Sequence, residues 1–252
     1  MSALAGKSVL VTGAARGIGA GIAEAVVGEG GAVALLDLDP AGAETAARLG
    51  EAAHFFQCDV RSLAEVERAV AGAESALGGL DGLVNNAGVN AYFDAVEMTE
   101  EDWDTVFAVD LKSAWMLAKA TLPGLLERRG AIVNISSIQA QLTIEGFFPY
   151  AAAKAGLEGL TRSLALEYAP AGLRVNAVAP GYTQTRLLQE WLDLQPDPQA
   201  ALDSVLGKIP MRRTATPREI GNVVVFLLSE QSSAITGATI AVDCGLSVRF
   251  AS

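Results

Sequence analysis

Cysteine and histidine are almost absent from the chain. Cys58 and Cys244 stand far apart and His54 is alone, which leaves no disulfide framework, no CxxC redox or zinc motif and no histidine-based metal site. Basic residues are scarce too. Eighteen Lys and Arg against 29 Asp and Glu give a net charge of −11, so the surface repels nucleic-acid phosphates and anionic membranes. There is no uninterrupted apolar run of about 18 residues. The opening MSALAGKSVL enters a strand pattern without the apolar centre and cleavage site of a signal peptide. The expectation is a cytoplasmic protein that binds neither nucleic acid nor membrane and holds no metal.

What is abundant is apolar material. Hydrophobic residues make up 51% and charged residues 19% of 252 positions, enough for one large core in one domain spanning 1–252. Short β-branched runs alternate with Ala-rich stretches of helical period, the pattern of a parallel sheet covered on both faces. The strands are expected at Lys7–Thr12, Ala32–Asp37, Ala53–Cys58, Gly82–Asn85, Ala131–Ser136, Arg174–Ala179 and Thr239–Val242. The helices are expected at Ile18–Gly28, Ala41–Leu49, Ser62–Leu77, Trp103–Leu126, Tyr150–Tyr168 and Pro217–Ser229. The fold class is therefore α/β, a single-domain doubly wound sheet of seven parallel strands. One connection is long: 181–216 carries Pro196, Pro198 and Pro210. It reads either as a substrate lid around 182–215, closing through Leu187, Leu188, Trp191 and Leu192 of a helix at Arg186–Asp193, or as a surface insertion.

The first strand ends in Thr12-Gly13-Ala14-Ala15-Arg16-Gly17-Ile18-Gly19 and opens directly into a helix. Three glycines at that junction let a pyrophosphate approach backbone N–H groups at a positive helix terminus. Asp37 ends the second strand 18 residues beyond Gly19, where a carboxylate accepts hydrogen bonds from an adenosine ribose. It would repel the 2′-phosphate of NADP, so NAD is favoured over NADP. Arg16 either meets a 2′-phosphate or pairs with Asp37. In Tyr150-Ala-Ala-Ala-Lys154 a phenol and an ammonium rise from one helix face a turn apart. Such an ammonium stabilises phenolate and makes the tyrosine a usable general base.

Taken in order, T-G-A-A-R-G-I-G at 12–19, N-N-A-G at 85–88, Ser137 thirteen positions before Tyr150, Y-A-A-A-K at 150–154 and P-G-Y-T-Q-T at 180–185 resemble the short-chain dehydrogenase/reductase family across nearly the whole chain. The resemblance implies a Rossmann fold and an NAD(P)-dependent enzyme acting on a CH–OH group. In it Tyr150 is the acid/base, Ser137 polarises the substrate oxygen, and Lys154 holds the nicotinamide ribose and lowers the tyrosine pKa. It further implies that Gly13, Arg16, Gly17, Ile18 and Gly19 bind the cofactor. Asp59 and Val60 would then meet the adenine, Asn86, Ala87 and Gly88 the central strand and adenine ribose, and Pro180, Gly181, Thr183 and Thr185 the nicotinamide side. Family members commonly form tetramers through the helices at Trp103–Leu126 and Tyr150–Tyr168 and through the last strand. The tail from Gly245 to Phe250 fits such a contact or folds on its own domain.

Two positions depart from the family pattern. Asp110 stands where Asn is usual; its charge near Lys154 would favour protonated lysine, with activity retained and an altered pH profile. Cys244 replaces a common Gly and reads as a small buried residue rather than a nucleophile. Substrate contacts are expected from Asn90, Gln139, Glu145, Tyr182 and Trp191, with Phe93 and Phe147, in loops at the carboxyl ends of the strands. Their mixture of polar and aromatic groups suits a sugar, sugar acid or polyol, with a plain secondary alcohol or cyclic ketone as the competing class. Two other functions remain open: a 3-oxoacyl-carrier-protein reductase and a non-catalytic dinucleotide-binding regulator.

Overall fold

The computed structural model describes residues 2–249. Seven strands form one all-parallel sheet: β1 (Ser8–Thr12), β2 (Ala32–Asp37), β3 (Ala53–Gln57), β4 (Gly82–Asn85), β5 (Ala131–Ile135), β6 (Arg174–Pro180) and β7 (Thr239–Val242), in the order β3-β2-β1-β4-β5-β6-β7. The expected fold class is what forms. The inner strands β1, β4 and β5 are buried along their whole length, which is why they read as continuous apolar runs rather than alternating ones. Expected and observed strand ends differ only by single residues, Lys7, Cys58 and Ser136 falling just outside and Pro180 just inside.

Helices α1 (Gly17–Gly28), α2 (Gly42–Leu49) and α9 (Pro217–Leu228) cover one face, where Ile22, Ala25, Val26, Ala46, Ile220 and Val224 pack on Val9, Val33 and Leu35. Glycine makes α1 and α9 approach closely: a Cβ on Gly21 would lie 2.5 Å from the Cβ of Pro217, and one on Gly221 2.7 Å from the carbonyl of Gly21. On the other face α3 (Leu63–Leu77), α5 (Ser113–Arg128) and α6 (Tyr150–Tyr168) set Val66, Val70, Leu117, Leu125 and Ala165 against Leu10, Leu83 and Ile132.

The strand order reverses between β1 and β4. Their connections leave in opposite directions and open a crevice at the carboxyl ends of the strands. Every segment with chemistry-bearing residues runs to this edge.

Two expectations are corrected by backbone detail. The helix expected at Trp103–Leu126 is α4 (Glu100–Phe107), a π-helical turn at Ala108–Lys112, and α5. Thr99 caps α4 through a box with Asp102, a Thr-x-x-Asp signal present in the sequence. The wide π turn swings Asp110 inward, and such turns favour functional positions. In the long connection, α7 (Arg186–Asp193) is followed by α8 (Pro198–Lys208), which was not expected. Pro198 sits in its first turn, where a missing N–H costs nothing, and Asp197 caps it. Cys244, expected to be buried, is only half-buried. Phe250 lies outside the described residues.

Candidate active site

The cofactor side of the crevice is made of backbone. Thr12 Oγ1 accepts the N–H groups of Asn86 and Ala87, both at 3.0 Å, and Asn86 Nδ2 donates to the carbonyls of Thr12 (2.9 Å) and Gly13 (3.0 Å). These bonds tie the β1–α1 loop to the end of β4. Gly13 and Gly17 have φ of +62° and +58°, and a Cβ on Gly19 would lie 2.1 Å from the carbonyl oxygen of Gly13. The positive φ values and the close backbone approach favour glycine at these positions, and the first-turn N–H groups of α1 are left without intrahelical acceptors. That cradle is what a pyrophosphate needs.

Asp37 ends β2 with Oδ2 accepting the N–H of Ala15 at 2.8 Å and Oδ1 that of Asp39 at 2.9 Å. Burial pushes its pKa up against those bonds and the charge of Arg16. Arg16 itself pairs with Asp39, a partner the sequence reading did not consider. Asp59 is held by Arg61 through contacts of 2.7–3.1 Å, and these hydrogen bonds lower its pKa. Val60 beside it is buried. Across the crevice Pro180 ends β6, Gly181 packs where a Cβ would lie 2.8 Å from that of Asp243, Thr183 bridges to Ala215, and Thr185 caps α7. Over the amino end of α1 lies a cavity of 1070 Å³ whose wall includes Arg16, Arg48, Arg186, Arg212 and Arg213.

The side chains expected to handle the proton come from α6 and its neighbours. Lys154, 3% exposed, donates to the carbonyl of Ile135 at 3.3 Å and sits 5.5 Å from the centroid of the Tyr150 ring. Asp110 Oδ2 is 3.6 Å from Lys154 Nζ, an ion pair beyond hydrogen-bond length, and Oδ1 accepts the N–H of Val89 at 2.8 Å. Burial raises the pKa of Asp110. Burial works to lower that of Lys154, but the charges of Asp110 and Tyr150 outweigh it and hold the ammonium above its ordinary value. Gly88 leaves room for the pair, since a Cβ there would lie 3.2 Å from Lys154 Nζ and 3.4 Å from Asp110 Oδ1. Ser137 follows β5 and caps a 3-10 turn, its Oγ accepting the N–H of Gln139 at 3.2 Å. Ser136 before it donates to Glu158 at 3.2 Å, fixing this strand end to α6.

Beside these residues opens a second cavity of 630 Å³, lined among others by Tyr92, Phe93, Asp94, Glu145, Phe147 and Trp191. The Phe147 ring stands edge-on to Tyr92 (4.8 Å) and to Tyr150 (6.5 Å), so the aromatic wall runs to the candidate acid/base. Of the expected substrate residues, Glu145 and Trp191 line it with Phe93 and Phe147; Asn90, Gln139 and Tyr182 are not in its lining. Burial raises the pKa of Tyr182. Tyr92 and Asp94 were missed, although they flank Phe93 directly after the Asn85–Gly88 turn.

A family model described as Enoyl-(Acyl carrier protein) reductase matches residues 13–247. The 2-(S)-hydroxypropyl-CoM dehydrogenase 3 of Xanthobacter autotrophicus is 40% identical over 251 residues, covering 96% of this chain and 97% of that protein. The D-threitol dehydrogenase of Mycolicibacterium smegmatis is 38% identical over 251 residues, covering 98% and 95%. Among solved structures, ligand-free aldohexose dehydrogenase from Thermoplasma acidophilum superposes with a TM-score of 0.91 at 35% identity, covering 99% of this chain and 97% of that one. By these matches the chain belongs to the short-chain dehydrogenase/reductase family, nicotinamide-dependent oxidoreductases that act on alcohols.

Proposed function

We propose that the protein is an NAD-dependent dehydrogenase that interconverts the secondary alcohol and ketone of a polyhydroxy compound, a sugar or polyol. The observation that carries this reading is the buried Lys154 ammonium beneath the Tyr150 ring, at the edge of a cavity with carboxylate and aromatic walls. The relatives named for threitol and aldohexose support the substrate class. Asp37 supports NAD, because a carboxylate at the end of β2 is repelled by a 2′-phosphate.

The residues that fit the cofactor are the glycine loop, Asp37 and Lys154. When bound, nicotinamide supplies the hydride acceptor or donor. Everything else is done by the chain. In the oxidising direction Tyr150 Oη takes the hydroxyl proton while Ser137 Oγ donates a hydrogen bond to the same oxygen, holding its developing charge. The Lys154 ammonium lies close enough to stabilise phenolate, and Ile135 and Asp110 fix its position. Closure of α7 over the crevice, with Leu188 and Leu192 facing the arginine-lined cavity, would exclude water.

The acyl-carrier alternative is opposed by the two carboxylates at the cavity mouth, which disfavour a phosphopantetheine-bearing acidic partner. The same reading makes the protein a cytoplasmic homotetramer. Free Cys58 and Cys244 suit a reducing compartment, and exposed Trp103, Trp115 and Leu166 on α4, α5 and α6 suit subunit contacts.

The test follows absorbance of reduced nicotinamide with NAD, then NADP, across sugars, polyols and simple secondary alcohols, for the parent and Tyr150→Phe. The expected result is turnover of a polyhydroxy substrate with NAD, reduced about 10²- to 10⁴-fold in the variant. Undiminished turnover in Tyr150→Phe would refute the proton assignment.

A further inference from the structure

The 630 Å³ cavity carries an electrical asymmetry that its role in alcohol oxidation does not require. Two carboxylates line it, Asp94 and Glu145, and among the described residues no lysine or arginine does. Glu145 is exposed and has neither an ion-pair nor a hydrogen-bond partner among the described residues. Asp94 spends Oδ1 on the N–H groups of Val96 (2.8 Å) and Glu97 (3.3 Å), which orders the carboxylate and leaves Oδ2 without a hydrogen-bond partner among the described residues. Apart from Ala95 and Gly146 the remaining wall is aromatic, with Phe147 between Tyr92 and Tyr150.

Each part of that wall selects. Aromatic faces pack against C–H surfaces and attract cations. Carboxylates accept hydrogen bonds from hydroxyls and repel anions, a repulsion that water and salt screen in part at these exposed positions. Discrimination built on a repulsive element is negative selection, independent of how well the right substrate fits.

We propose that Glu145 and Asp94 set the charge specificity of the substrate site, admitting neutral and cationic polyhydroxy compounds and rejecting those with a carboxylate or phosphate. This rests on the proposed function and narrows it: of the sugar, sugar acid and polyol classes, the acid is excluded. The ranking that follows is cation at least equal to neutral, and neutral above anion.

A matched series on one six-carbon skeleton tests it: sorbitol, its amine glucamine and its acid gluconate, with the corresponding four-carbon polyol and acid alongside. Parent enzyme and NAD are expected to give kcat/KM about tenfold or more higher for polyol than for acid, a preference that shrinks as salt screens it. Glu145→Gln should raise the acid-to-polyol ratio about threefold and Glu145→Lys further, while Glu145→Asp keeps the parent ratio. Equal use of acid and polyol by the parent, or a ratio indifferent to both salt and Glu145→Lys, overturns the charge assignment and leaves the alcohol dehydrogenase reading standing. If no polyhydroxy compound is turned over, the parent reading fails instead. Quenching of Trp191 fluorescence, with Trp191→Phe as control, then decides the charge question: stronger binding of glucamine than of gluconate supports the proposal, and the reverse order ends it.

Discussion

The two sides of the crevice are built from opposite materials. Over the amino end of α1 the wall carries five arginines against two glutamates, Glu24 and Glu44, and a loop whose glycines are each favoured by a neighbouring backbone atom or a positive φ. Around the second cavity the wall is rings and two carboxylates on segments that are mostly exposed. The first side suits a fixed, doubly anionic group common to a whole family. The second suits one substrate class and is free to vary because no strand register depends on it.

The largest way to break the contrast is Gly19→Ala. Its Cβ would lie 2.1 Å from the Gly13 carbonyl and 2.6 Å from Asn86 Nδ2, and the carbonyl belongs to backbone that Asn86 already holds. Overpacking of this kind costs about 1–3 kcal/mol. If the strain falls on the bound loop, NADH affinity drops up to about a hundredfold. Titration of NADH binding reads it directly. Unchanged affinity would mean that the loop has the slack found on the substrate side.

Asp37→Ala comes next. The carboxylate is held by two backbone N–H groups and raised by burial, so its removal takes away both a ribose acceptor and a charge opposed to a 2′-phosphate. The ratio of kcat/KM for NAD over NADP is expected to fall about tenfold or more. Arg16 pairs with Asp39 in the parent and stands near enough to amplify the swing. No change in the ratio would move cofactor choice elsewhere.

Legibility follows the same division. The seven strands, their order of appearance and the glycine loop were readable because each is fixed by local physics: buried parallel strands are continuous apolar runs, and the loop's positive φ values and close backbone approaches favour glycine. Tyr150 and Lys154 were readable because helix period puts them a turn apart. The π turn at Ala108–Lys112 was hidden, since its sequence satisfies an unbroken helix and only packing against Val89 and Lys154 rewards the bulge. Tyr92 and Asp94 were hidden for another reason. Loop residues acquire a common wall only after β4 and α6 bring residues 92–95 and 145–148 together, through the bridge between Phe93 and Phe148.

Asp110 sits at the seam of the two sides, and its variant should give the smallest effect. Asparagine at 110 keeps an acceptor for the Val89 N–H but sets an amide, not a charge, 3.6 Å from the Lys154 ammonium. In the parent, that charge together with Tyr150 holds the lysine above its ordinary pKa against burial, which works the other way. A raised lysine keeps its proton to higher pH, so removing the charge makes Lys154 lose its proton earlier. The alkaline limb of kcat/KM should therefore move to lower pH in Asp110→Asn. The acid side should change as well, because a buried carboxyl whose pKa is raised no longer titrates there. A pH–rate curve that superposes on the parent would make Asp110 a packing residue whose charge the lysine does not feel.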